Sequence, residues 1–118
     1  MVRVLYADNY RIPLIGLGAI LEQQGFNVDC TNSENAEKEF NEKFRDRLGD
    51  YDVLIAHLGV EFNGEVRKLL TDFPNLSIAL VSEFPKHYSE HSDHKRVLVC
   101  DYDAPELIYF IKRRIQAA

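Results

Sequence analysis

The residues of this chain that could do chemistry sit at the ends of apolar runs. "VRVLYADN" ends on Asp8 and Asn9, "DVLIAHL" carries His57, "SIALVS" ends on Ser82 and "RVLVC" ends on Cys100. A carboxylate, an imidazole and a thiol brought together would supply an orienting group, a base and a nucleophile. Carboxylate and amide oxygens would instead suit a hard metal ion. A second group, His87, His91 and His94, repeats at i, i+4 and i+7, a spacing that can bind Zn²⁺ or Ni²⁺ from one helical face. That segment, "EFPKHYSEHSDHK", is polar, nearly without aliphatics, and contains Pro85. Solvated histidines are the expectation there.

Which chemistry is possible depends on the elements that position these residues. Five apolar runs, "VRVLYA", "FNVDC", "DVLIAHL", "SIALV" and "RVLVC", read as strands, and the unbroken Val53–Ala56 run suits a strand covered on both faces. Helical periodicity fills most of the intervals. Leu14, Leu17, Gly18 and Leu21 share one face, with Pro13 near the first turn and Gly25 as the stop. Asn32 or Ser33 caps a second helix that stacks Ala36, Phe40 and Phe44. A third sets Val66, Leu69, Leu70 and Phe73 on one stripe before Pro74. The last is capped by Asp103, with Pro105 in the first turn and Glu106 three after the cap. Leu107, Ile108, Phe110, Ile111 and Ile115 supply its buried side, and Lys112, Arg113 and Arg114 complement its C-terminal dipole.

Such alternation gives a parallel sheet with helices on both faces, in one domain spanning 1–118. In such folds chemistry collects beyond the carboxyl ends of the strands, where the strand order reverses. The chain has 118 residues, 46% hydrophobic and 28% charged, enough for one core. No apolar stretch is long enough for a membrane span, and the N-terminus reads as a strand and not as a signal peptide. Two cysteines are too few for a disulfide scaffold, which points to the cytoplasm. The net charge of −5 argues against direct nucleic-acid binding.

The arrangement resembles the receiver domain of two-component response regulators over nearly the whole chain. The resemblance implies a flavodoxin-like (βα)5 three-layer sandwich with strand order 2-1-3-4-5. Receivers end their first strand in paired acids; Asp8 and Asn9 stand there. Their third strand reads as an Asp, four apolar residues and the phosphoacceptor Asp. Asp52 matches the leading Asp, which puts His57 on the phosphoacceptor position. Ser82 matches the Ser or Thr of the fourth strand, Cys100 replaces the Lys of the fifth, and Val97 takes the place of the switch aromatic. The run from Ser82 to Cys100 is a few residues short, which implies a shortened fourth helix.

These departures imply a pseudo-receiver. Imidazole at His57 cannot form an acyl phosphate, and Mg²⁺ would keep one carboxylate, Asp8. No catalytic residues, cofactor or metal are expected. Asp8, Asn9, His57, Ser82 and Cys100 form a degenerate phosphoacceptor pocket, with His57 held by Asp8 or Asn9. A His57–Asp8 pair could also act as a pH-sensitive latch. In the receiver strand order the third and fifth strands lie about 10 Å apart, which disfavours a Cys100–His57 pair. A Cys30–Cys100 disulfide would have to cross ~19 Å. A flavin or nucleotide site lacks its Gly-rich loop, since Gly16 and Gly18 fall inside a helix. The function expected is that of a protein-interaction module in signalling, fused to or working with an output component. The alternative is His57-dependent phosphotransfer, or a small enzyme. The expected contact, a partner or a homodimer, uses the fourth helix–fifth strand–fifth helix face, with Tyr88, Tyr102 and Tyr109 as anchors.

Overall fold

The computed structural model describes residues 1–84, 90–91 and 94–117. Five strands, β1 (Arg3–Asp8), β2 (Asn27–Cys30), β3 (Val53–His57), β4 (Ser77–Val81) and β5 (Val97–Cys100), form one parallel sheet in the order β2-β1-β3-β4-β5. This is the expected flavodoxin-like topology. The order reverses between β1 and β3, where Asp8 lies directly opposite His57.

Alternation along the strands divides the core into two layers. Val4 and Tyr6 of β1 face α1 (Arg11–Gln23) and α5 (Ala104–Ala117), against Leu14, Leu17, Leu21, Leu107 and Ile111. Leu5 and Ala7 face the opposite layer, with Ala36, Phe40, Val66, Leu69 and Leu70. Helix α1 buries Leu14, Leu17, Gly18 and Leu21, the face its periodicity predicts. A side chain at Gly18 would begin 3.5 Å from Cys30 Sγ, so a small residue lets α1 lie close on β2. Past the helix end, Gly25 takes a φ of 89°, a conformation that costs glycine little.

The second connection departs from a uniform helix. Asn32 Oδ1 accepts the Asn35 N–H at 2.7 Å, so this residue shapes a turn before α2 (Ala36–Glu39) and does not cap it. Phe40–Phe44 then widen into a π turn, and Arg45–Asp50 tighten into a 3₁₀ helix. The wider turn breaks the i+4 register: Ala36 and Phe40 are buried, whereas Phe44 is only partly so and meets the Tyr51 ring edge-on at 6.4 Å. Leu48 enters the core in its stead.

The third connection contains a short helix the sequence did not announce, α3 (Val60–Asn63), ahead of α4 (Val66–Asp72). Arg45 clamps the start of α4 through a bidentate contact with Glu65, at 2.6 and 3.1 Å. At its other end Arg96 donates to the carbonyls of Leu70 (2.6 Å), Leu76 (2.7 Å), Pro74 (2.8 Å) and Phe73 (3.1 Å). One guanidinium therefore serves carbonyls at the end of α4 and in its exit turn, sharing that of Phe73 with the Leu76 N–H.

Between β4 and β5, the residues expected to carry a shortened fourth helix lie partly outside the described residues, as do His87 and Tyr88. His91 is buried, contrary to the expectation of a solvated histidine, because its Nε2 lies 2.9 Å from the Asn63 carbonyl oxygen. His94 Nδ1 accepts the Arg96 N–H at 3.1 Å. Both rings are thus engaged with backbone, and no group of three or more metal-ligating side chains converges among the described residues. Asp103 Oδ1 accepts the Glu106 N–H at 3.2 Å and caps α5 as expected. Cys30 and Cys100 are free and stand on opposite edge strands. No helix of the described residues is long and apolar enough to cross a membrane.

Candidate functional site

At the carboxyl end of the sheet the structure gathers Asp8, Asn9 and His57. Asp8 is fully buried, yet both of its oxygens are engaged. Oδ1 accepts the Tyr10 backbone N–H at 2.8 Å and lies 3.3 Å from His57 Nδ1. Oδ2 accepts the hydroxyls of Tyr6 at 2.9 Å and Tyr102 at 3.0 Å. A carboxylate has about four lone-pair sites. Four partners fill them once the imidazole hydrogen is on Nδ1.

The imidazole is held on several sides. Its ring lies 5.0 Å from the Tyr10 ring, tilted by 33°, and 6.1 Å from Tyr102, nearly perpendicular at 77°. The backbone N–H and the side-chain amide of Asn9 both donate to the His57 carbonyl at 3.3 Å. Contact between His57 and both Asp8 and Asn9 is therefore present as expected, through the ring in one case and the backbone in the other.

Ser82 and Cys100 sit at their strand ends, and neither forms a hydrogen bond with Asp8, Asn9 or His57 among the described residues. Ser82 Oγ accepts the Phe84 N–H at 3.0 Å, a turn within its own loop. Cys100 packs into the α1–α5 side of the core, where burial and, less strongly, Glu106, Asp101 and Asp103 push its thiol up to about 12. It fills space. Of the tyrosines expected at an interface, Tyr102 turns inward onto Asp8, and Tyr109 is exposed with the Arg113 guanidinium 5.8 Å from its ring centre.

Sequence reasoning missed Tyr6 and gave Tyr102 a different task. The signal for Tyr6 was available: it lies two residues before Asp8 on one strand, hence on the same face. A buried Tyr there needs an acceptor for its hydroxyl. Burial and the nearby Asp8 carboxylate both raise the Tyr6 and Tyr102 phenols well above the ordinary value of 10.0. A phenol raised on folding contributes stability that is complete below the unfolded value and lost as pH rises beyond it. The denaturation midpoint should therefore hold steady up to about pH 9 and fall above 10.0. A phenolate absorbance titration should show Tyr6 and Tyr102 ionising only as the protein unfolds. Ionisation of all six tyrosines near 10.0 in the folded protein would contradict the cage.

Receivers hold Mg²⁺ at this end of the sheet, and the residues present here do not fit that ion. Mg²⁺ takes oxygen ligands in strict octahedral geometry. Asp8 already accepts three hydrogen bonds and faces the His57 ring, and His57 offers nitrogen where a carboxylate would be needed. The arrangement can fix an imidazole against a carboxylate and shield both with aromatic rings.

Comparison with solved structures places the fold. A response regulator of Thermotoga maritima is 20% identical, with a TM-score of 0.68 and 98% of each chain covered. A putative pilus assembly protein of Burkholderia thailandensis is 19% identical, with a TM-score of 0.72 over 98% of this chain and 99% of its own. A Thermotoga maritima response regulator solved with Mg²⁺ and BeF is 24% identical, at a TM-score of 0.62 over 97% and 99% of the two chains. No protein-family model and no curated protein sequence matches the chain.

Proposed function

We propose that this chain is a receiver-like signalling module that works by protein contact and is not switched by aspartyl phosphorylation. One observation carries the reading: Asp8 accepts from the Tyr6 and Tyr102 hydroxyls and the Tyr10 N–H, and its remaining approach is held by the His57 ring at 3.3 Å. In a phosphorylated receiver that carboxylate must be free to hold a metal. Here it serves as the hub of a structural network, and the residue at the phosphoacceptor position is part of that network. The fold likeness to response regulators supplies the signalling context. The likeness to a putative pilus assembly protein shows that the same scaffold occurs outside proteins described as response regulators.

The partner surface is the side formed by β5, α5 and the connection before β5. Tyr109, 64% exposed, is its aromatic anchor. With Val97 in the place of the switch aromatic, and itself in the core, this surface holds one state.

Incubation with acetyl phosphate and Mg²⁺ should leave the intact mass unchanged. A Mg²⁺-dependent phosphoryl adduct, stable at neutral pH, would overturn the proposal. An acid-labile adduct mapped to His57 would establish phosphotransfer through the imidazole instead.

A further inference from the structure

Helix α1 is apolar on two sides. Leu14, Leu17 and Leu21 enter the core, while Ile12 (84% exposed), Ile15 (61%) and Ile20 (40%) face away from it. Isolated exposed aliphatics are ordinary, but several along one helix make a patch that calls for a partner. Helix α5 shows the contrast: its outer side carries Glu106, Tyr109, Lys112 and Arg113.

The outer residues of α1 follow a helix-packing seam. Ile12, Ile15, Gly16, Ala19 and Gln23, all exposed, recur at offsets of three, four, seven and eleven from the first. At the middle, a side chain added to Gly16 would meet nothing within 4 Å, so a second helix could approach its backbone closely. Arg11 and Glu22 lie at opposite ends of the helix on the same flank of this seam, and neither forms an ion pair among the described residues.

We infer that α1 is a self-association surface, on which two copies of this chain pack their α1 helices antiparallel across a two-fold axis near Gly16. Charge complementarity selects the second copy and the direction. Antiparallel packing sets Ile12 opposite Ile20 and Arg11 opposite Glu22 of the partner copy, and the two-fold axis repeats both contacts. Parallel packing would bring Arg11 to Arg11 and Glu22 to Glu22. A foreign helix would not need the opposite charges to be so placed. The inference uses no residue of the Asp8 cage, so its failure would leave the proposed function standing.

Sedimentation velocity over a concentration series tests it, with expected association into a dimer that weakens as salt rises. Gly16→Arg should fold, because the site is open and glycine is a poor helix former, and should weaken the dimer by about tenfold or more. Arg11→Glu or Glu22→Arg alone should weaken it roughly three- to thirtyfold, two exposed pairs being lost at once, and the double exchange should restore it. A monomer at the highest attainable concentration would overturn the inference. So would a dimer insensitive to Gly16→Arg and abolished by Tyr109→Glu, which would place the contact on α5. The charge exchange decides the matter even if Gly16→Arg does not fold: absence of recovery in the double variant rejects the antiparallel pairing.

Discussion

Asp8→Ala should destabilise the protein by about 3–5 kcal/mol, read as a lowered denaturation midpoint at pH 7. The direction is not obvious for a buried carboxylate. In a pocket that holds several acids, removing one relieves repulsion, and stability can rise. The Asp8 cage contains no second carboxylate, only hydroxyls, an N–H and an imidazole. Its loss leaves the fully buried Tyr6 hydroxyl with no acceptor, at about 1–3 kcal/mol, and strips partners from Tyr102, the Tyr10 N–H and His57 as well. A control isolates the cause. Tyr6→Phe in the Asp8→Ala background removes the orphaned hydroxyl and should recover part of the loss, giving a coupling between the two sites. His57→Ala should cost less than Asp8→Ala, since the ring keeps some solvent contact and supplies one of four partners. Unchanged stability in Asp8→Ala would show that the cage holds nothing together.

The second large effect belongs to Arg96. Arg96→Ala should cost about 2–4 kcal/mol, because four carbonyl oxygens lose a charged donor at once. Those of Leu70, Phe73, Pro74 and Leu76 end α4 and lead the chain into β4, so the damage should be local. Hydrogen exchange should quicken in α4 and at the start of β4 before it does in β1 or α1. Arg96→Lys should rescue little, since an ammonium group is a single point of charge and cannot reproduce the planar fork. Exchange rates that rise uniformly would assign Arg96 a general packing role and not a capping one.

The fold was legible because its signals are local. The buried set of α1 follows from a 3.6-residue period, and Asp103 announces α5 through residues within one turn of it. The site was legible in position but not in content. The receiver-like strand order put Asp8 and His57 on neighbouring strands, and the register that sets them directly opposite came from the structure. The Tyr102 hydroxyl could not be aimed, because the direction of a tyrosine after β5 depends on how that loop folds onto β1, 94 residues away in sequence. Arg96 was silent for the same reason, its acceptors lying 20 to 26 residues earlier. The π turn at Phe40–Phe44 was hidden differently: aromatic residues four apart fit an α-helix equally well, so their spacing does not announce the wider turn that precedes the buried Leu48.

The cage also bears on how such a domain can diverge. If the chain descends from a phosphorylated ancestor, restoring an aspartate at residue 57 would not restore the ancestral chemistry. The new carboxylate would stand beside an Asp8 still occupied by two tyrosine hydroxyls and a backbone N–H. Tyr6 and Tyr102 would have to lose their hydroxyls, and Cys100 would have to become a cation, before an ion had reason to bind. Each step alone meets a cost in stability with no return in activity. On such a descent the present arrangement would be a local optimum, and drift would carry the pocket further from phosphorylation, not back toward it.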